Sequence, residues 1–217
     1  MSNIIFLGAP GSGKGTQAAI LSDDLNIPAI STGDILRAEV KSQSEIGNLA
    51  KKYMDEGGLV PDEVVIGIIK KRLLEDDCKN GFILDGFPRN LSQAISLDEN
   101  LVEIKKEISS VISLEVPDET IIKRITGRFS CANCGALYNK FFNNTKKEGI
   151  CDSCNSKEFI SRDDDNEEAI INRLKVYHSN TSELIKFYTK KGLIYKVDGL
   201  KPINLVKNQI KDIALKN

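Results

Sequence analysis

The chain of 217 residues is long enough for one substantial α/β domain with an insertion, or for two small domains. Its 41% hydrophobic and 28% charged residues suit a globular protein, and a net charge of -1 gives no electrostatic footprint for wholesale binding of nucleic acid or a membrane. No apolar run approaches the ~20 residues of a membrane span, and Met1-Ser2-Asn3 passes straight into an apolar stretch with no room for a leader, so a cytoplasmic location is expected.

The apolar run Ile4-Ile5-Phe6-Leu7 predicts a first strand over 3–8, buried on both faces. It runs into Gly8-Ala9-Pro10-Gly11-Ser12-Gly13-Lys14-Gly15-Thr16, and a helical pattern over 14–25 (Ala18, Ala19, Leu21, Leu25) follows. Strand, glycine-rich turn and helix make the context of a P-loop. Small residues let the backbone curl round an anion, so that consecutive N–H groups and the positive helix end face phosphate. Gly11, Ser12, Gly13, Lys14, Gly15 and Thr16 are therefore assigned to a nucleoside triphosphate, with Lys14 as a mobile point charge and the Thr16 hydroxyl near Mg²⁺. Gly15 departs from the strict pattern, which wants Ser or Thr directly after the lysine.

Ile27-Pro28-Ala29-Ile30 predicts a short second strand, ending at the helix-start cluster Ser31-Thr32-Gly33-Asp34. Helical pattern continues past Ala38 and resumes over 46–54, until Gly57-Gly58 breaks it. Pro61-Asp62-Glu63 opens another helix with Val64, Val65, Ile68, Ile69, Leu73 and Leu74 at helical spacing. Phe82-Ile83-Leu84 predicts a third buried strand that ends in Asp85-Gly86-Phe87-Pro88-Arg89, with a helix over 91–98 behind it. Residues 111–114 predict a fourth strand and Pro117-Asp118-Glu119 the next helix start. Residues 127–164 lack periodicity. A long amphipathic helix over 167–190, a fifth strand over 193–197 and a terminal helix complete the chain. Alternating strands and helices predict a five-stranded parallel sheet of the P-loop NTPase type, with helices on both faces and a small insertion.

The five cysteines are Cys78, Cys131, Cys134, Cys151 and Cys154. Two C-x-x-C pairs separated by sixteen residues form a zinc-ribbon pattern, and four thiolates would close one structural S₄ site; iron is a chemical alternative. A metal would substitute for the core that an insertion of roughly this size, 127–164, cannot build. Cys78 reads as a plain buried thiol, and His178, the only histidine, as structural. The chain holds 23 lysines and only seven arginines. Six of those, Arg37, Arg89, Arg124, Arg128, Arg162 and Arg173, fall near the motifs above, where a planar fork for phosphate is useful. Arg124 and Arg128 would share a helix face if the helix persists to Gly127. Asp85, ending a buried strand beside the P-loop, can orient Mg²⁺ through water.

Taken together, Asp85-Gly86-Phe87-Pro88-Arg89, the P-loop and Ser31-Thr32-Gly33-Asp34 closely resemble the adenylate kinase family, in its bacterial long form with a zinc-bearing lid. The resemblance covers essentially the whole chain. It implies transfer of a phosphoryl group from MgATP to AMP, giving two ADP, in adenine-nucleotide homeostasis. It implies a monomer with a core (1–30, 61–126 and 165–217), an AMP-binding domain (31–60) and a zinc-binding lid (127–164). Thr32, Arg37, Gly58, Leu59, Val60, Gly86, Phe87, Pro88, Arg89 and Gln93 would bind AMP, with Arg162 and Arg173 also approaching the AMP side. Leu137 and Tyr138 would line the ATP base, the Lys201 backbone would touch it, and Arg128 would contact ATP. Lys14, Asp85, Arg89, Arg124, Arg128, Arg162 and Arg173 would surround the transferring group, with Asp164 and Asp165 pinning arginines as the lid shuts. Phe129 stands where many relatives carry a second arginine, so no ATP contact is assigned to it.

Two rival readings remain. One is a kinase for another monophosphate, against which Gln93, Thr32 and the lid weigh. The other is a binding protein, either a P-loop switch, which would leave the arginines on both substrate sides unexplained, or a zinc-ribbon module for nucleic acid. Residues 131–154 carry three lysines against two acids, too little charge for that role.

Overall fold

The computed structural model describes residues 2–162, 165 and 167–216. A parallel sheet of five strands forms the centre: β1 (Ser2–Gly8), β2 (Ala29–Ser31), β3 (Gly81–Asp85), β4 (Ser110–Glu115) and, last in the chain, β8 (Ile194–Asp198), in the order β2-β3-β1-β4-β8. The chain leaves central β1 for β2 and β3 on one side, then crosses to β4 and β8 on the other. Their carboxyl ends therefore meet at a switch point, where open α/β sheets bind ligands. The register places Asp85 beside Phe6 and Ser31, and Gly8 beside Leu114.

Alternation along the strands divides the core into two layers. Ile4, Phe6, Ile83, Ile112 and Val197 face α1 (Lys14–Leu25) and α8 (Ile203–Lys216) through Ala18, Leu21, Val206 and Ile210. Ile5, Leu7, Leu84 and Val111 face the opposite layer, where α4 (Asp62–Leu73), α5 (Leu91–Glu103) and α7 (Glu167–Lys190) supply Ile69, Leu97, Leu101, Leu184 and Tyr188. Burying each such side chain contributes roughly 1.5–3 kcal/mol, so the strands that carry the site rest on a rigid floor. A smaller cluster joins α6 (Asp118–Thr126) to α7 through Ile121, Ile125, Ile170 and Leu174.

Most expected elements occur with shifted ends. The second strand begins at Ala29, because Pro28 has no N–H for the ladder, although its carbonyl accepts from Ile83 N at 2.9 Å. The helix expected over 91–98 continues to Glu103, since Leu97 and Leu101 keep the buried stripe through an acidic stretch. The helix carrying Arg124 stops at Thr126 with Gly127 as its cap, so Arg128 opens a strand and does not share a helix face with Arg124.

Two arms rise from the sheet. One is the helix pair α2 (Thr32–Lys41) and α3 (Glu45–Asp55), capped by Ser31 and Ser44. A Cβ at Gly47 would lie 2.1 Å from Glu39 O, so only glycine permits this crossing. The other is an antiparallel sheet of β5 (Arg128–Cys131), β6 (Leu137–Asn139) and β7 (Phe159–Ile160), ordered β6-β5-β7.

Candidate active site

A cleft of about 930 Å³ runs between the two arms over the carboxyl edge of the sheet. On one side lies the turn after β1. Gly13, at φ +101°, caps α1 without any side-chain hydrogen bond, leaving the first N–H groups of the helix for an anion. Lys14 Nζ donates to Gly8 O at 2.7 Å and Ala9 O at 2.8 Å, which folds it back over the turn. Burial lowers Lys14 to about 8, aided by Arg89 and Arg128 and opposed by Asp85. The unusual Gly15 has a steric reason: a Cβ there would come within 3.3 Å of Asp85 Oδ2. Burial pushes the Asp85 carboxyl above its ordinary value, against the pull of Lys14 and Arg89. A cation beside it would relieve that penalty, and the hard oxygens of Asp85 and Thr16 fit Mg²⁺.

Arg124 reaches from α6 to Ser12 O at 3.2 Å and Gly199 O at 2.9 Å, tying the P-loop to the turn after β8. Its guanidinium also lies 5.8 Å from the Phe142 ring centroid. Phe142 is 55% exposed and lines the cleft with Leu137, Lys201 and the P-loop residues. Tyr138 borders the same wall, but its ring and hydroxyl belong to the lid. It stacks on Phe129 with centroids 5.5 Å apart, and its hydroxyl lies 3.3 Å from Cys151 Sγ and accepts from Asp152 N at 2.8 Å. Phe129 packs into this apolar cluster as well.

On the far side, Thr32 Oγ1 donates to Gly86 O at 2.9 Å, and Arg89 Nε donates to the same carbonyl at 2.8 Å. Gly86 holds φ +76°, and a Cβ there would press to 3.3 Å on both Thr32 Oγ1 and Arg89 Nη2. Gly58, Leu59, Val60, Pro88, Gln93 and Arg37 line this side. Phe87 does not. It was expected beside the acceptor, but its ring is 1% exposed and joins the larger core cluster, because an aromatic at this turn gains more from burial. Gln93 is 1% exposed, with Oε1 accepting from Arg89 N at 2.8 Å and Nε2 donating to Asp62 Oδ1 at 2.7 Å.

Carboxylates hold the arginines between the two sides. Asp165, 5% exposed, accepts from Arg128 Nε at 2.8 Å and from Arg128 Nη2, and lies 3.8 Å from Arg173 Nη1. Asp34 pairs with Arg37 at 2.5 Å and Arg162 at 3.5 Å, joining the helical arm to the end of the lid segment. Burial, with Arg128 and Arg37 nearby, pulls Arg162 down to about 10. Asp164 lies outside the described residues. Asp34, Asp62 and Phe142 were not singled out as site residues from sequence. The two acids read there as helix-start residues, which they also are.

In the lid, Sγ atoms of Cys131, Cys134, Cys151 and Cys154 all lie within 4.8 Å of one another. The Cys131–Cys154 and Cys134–Cys151 pairs are 3.5 Å apart. Four zinc–sulfur bonds of ~2.3 Å place sulfurs roughly 3.8 Å apart, so this set fits zinc. Each knuckle ends in a left-handed residue, Gly135 at φ +73° and Asn155 at φ 59°. Their N–H groups donate back to Cys131 O and Cys151 O at 3.0 and 2.9 Å. Outside the cleft, Cys78 is fully buried, and burial pushes its thiol up to about 11. His178 is exposed and pairs with Asp118 at 2.9 Å.

A P-loop facing an arginine-lined pocket across one cleft, with a lid between, defines a nucleotide phosphotransferase. Residues 6–193 match the family model for adenylate kinase. The chain is 53% identical to the adenylate kinase of Archaeoglobus fulgidus over 99% of this chain and 98% of that one. It is 56% identical to that of Methanosarcina barkeri over 99% of each, and 52% identical to that of Caldicellulosiruptor saccharolyticus over 92% and 93%. The chain belongs to the adenylate kinase family.

Proposed function

We propose that MgATP binds on the P-loop side and AMP on the Gln93 side, and that the γ-phosphoryl passes between them to give two ADP. The observation that carries this reading is the convergence of two distinct anion cradles on one cleft, the P-loop with Lys14 and the Gly86 turn with Arg89 and Arg37. A single-nucleotide hydrolase has no use for the second.

Phosphoryl transfer needs two oxygens in line and charge placed around the moving group. The P-loop N–H groups and Lys14 hold the donor phosphates. Arg124 braces that loop, and with Phe142 it forms a flat-faced pair suited to a base. Mg²⁺, held by Thr16 and by Asp85 through water, would neutralise the donor phosphates. Arg37 and Arg89 receive the acceptor phosphate, with Gly33 and Gly86 leaving room for their guanidinium groups. The Gln93 amide can donate and accept at once, as the N1/N6 edge of adenine requires. Arg128, Arg162 and Arg173 close over the transferring group, and the lid excludes water that would otherwise accept it.

The reading divides the chain into a core (1–30, 61–126, 165–217), an acceptor arm (31–60) and a zinc lid (127–164). It extends to a cytoplasmic monomer that engages neither nucleic acid nor membrane. Its support is the near-neutral net charge of -1 and the three lysines against two acids in residues 131–154.

The test is ADP formation from MgATP with AMP, GMP, CMP and UMP in turn, and with no acceptor. Two ADP per AMP, and little with the others, is expected. Preference for another monophosphate would move the substrate, and ADP without acceptor would refute the two-cradle reading.

A further inference from the structure

The geometry points to Asp62 as the residue that fixes acceptor-base specificity, by locking the Gln93 side-chain amide in one of its two orientations. This rests on the proposed contact between Gln93 and the acceptor base, and it deepens that reading.

The two ends of an amide differ in chemistry and scarcely in shape. With Oε1 and Nε2 in one order, Gln93 offers an acceptor and a donor that match the amino N6 and the N1 of adenine. Rotated by half a turn, the same side chain offers a donor and an acceptor that match O6 and N1–H of guanine. A free glutamine would serve both bases. In this structure it is not free. Arg89 N–H, which can only donate, takes Oε1 at 2.8 Å. The Asp62 carboxylate, which when ionised can only accept, takes Nε2 at 2.7 Å. Reversing the amide would set donor against donor and acceptor against acceptor, losing both bonds, one of them charge-assisted. Each end keeps one more bonding position, a lone pair on Oε1 and a hydrogen on Nε2.

The carboxylate is itself held. Asn90 Nδ2 donates to Asp62 Oδ1 at 3.0 Å and to Oδ2 at 3.2 Å, while Asn90 Oδ1 accepts from Gln93 N at 2.9 Å as the cap of α5. A simple helix-start acid needs no such partners, and exposed Glu63 beside it can serve that purpose. Asp62 is thus a positioning residue that acts through Gln93.

The experiment compares kcat/KM for AMP and GMP, with saturating MgATP, in the wild type, Asp62→Asn, Asp62→Ala and Gln93→Ala. Neither replacement of Asp62 enforces one amide orientation, since Asn can face either and Ala faces neither, which leaves the Arg89 N–H bond alone to favour it. The AMP-to-GMP ratio should fall by about tenfold or more in both, with KM for MgATP unchanged and the thermal transition retained. An equal loss for both acceptors, or an unchanged ratio, would overturn the lock and leave Asp62 a helix-start residue. Gln93→Ala separates the two ideas. An unchanged ratio there refutes the Gln93–base contact and the lock together. A drop in Gln93→Ala alone refutes only the lock.

Discussion

Lys14 carries a charge whose state depends on what faces it. Burial lowers its ammonium from 10.5 to about 8 while it donates to Gly8 O and Ala9 O. The phosphates of ATP, placed on the neighbouring N–H groups as proposed, would pull that value back up. Above pH 8 Lys14 would therefore take up a proton when the nucleotide binds, and the affinity would fall as pH rises. Calorimetry at pH 8.5 in buffers of different ionisation enthalpy should show uptake of about three quarters of a proton, and Lys14→Met should abolish it. The same depressed value makes stability rise between pH 8 and 10.5, because the unfolded chain binds the proton that the folded chain has lost. Lys14→Met should flatten that slope in thermal unfolding. Arg89 permits a second test. Arg89→Lys keeps the charge but loses the fork and the bond to Gly86 O. It should cut kcat/KM for AMP by about 10²-fold with little change in KM for ATP. Lys14 stands out in the sequence because the P-loop spacing marks it, while Arg89 and Gln93 were picked out through the family resemblance. Asp62 and Asp34 were not, since their partners Gln93 and Arg162 lie far along the chain and nothing local distinguishes an acid that orients a side chain from one that starts a helix.

At the scale of elements, what could be read was what buries a periodic or continuous apolar face. Four of the five sheet strands announced themselves as runs such as Ile4-Ile5-Phe6-Leu7, and α7 as a long amphipathic stripe. The lid strands had no such signal. They are two to four residues long, and their core is a cluster of Phe129, Tyr138, Phe159 and the cysteines. An element that four cysteines could hold through a metal need not show a hydrophobic period. That same property would make the lid separable. If zinc fills the site, chelation, or Cys154→Ser, should unfold 128–160 while the central sheet stays intact, because metal-binding free energy there would be folding free energy. Limited proteolysis should then cut within the lid, circular dichroism should keep most of its helical signal, and phosphoryl transfer should be lost. Simultaneous collapse of the whole chain would mean the lid supports the core. Tyr138→Phe is a milder probe. It leaves the Asp152 N–H without its acceptor and should destabilise the metal-loaded lid by ~1 kcal/mol, read as an earlier onset of lid proteolysis.

Across the whole molecule, the arms meet over a cleft in which, among the described residues, Lys14 and six arginines face three carboxylates, Asp34, Asp85 and Asp165. Cations packed this closely repel, and the lowering of Arg162 to about 10 by burial and by Arg128 and Arg37 reports that cost. Phosphates bound as proposed would relieve it, so that substrate charge would favour closure. Asp165 relieves part of it without substrate, because it bridges Arg128 of β5 to Arg173 of α7 and so ties the lid to the core helix. Asp165→Asn keeps the shape and removes the charge. Arg128 then loses its paired anion, the arms repel more strongly, and the closed arrangement becomes costlier with either nucleotide bound. The expected result is a fall of about 10–10²-fold in kcat/KM for ATP and AMP together. Raising the ionic strength from low to ~0.5 M should narrow the gap between variant and wild type, because salt screens the added repulsion. A loss confined to one substrate would make Asp165 part of a single binding pocket. A gap that salt does not narrow would assign its effect to packing alone.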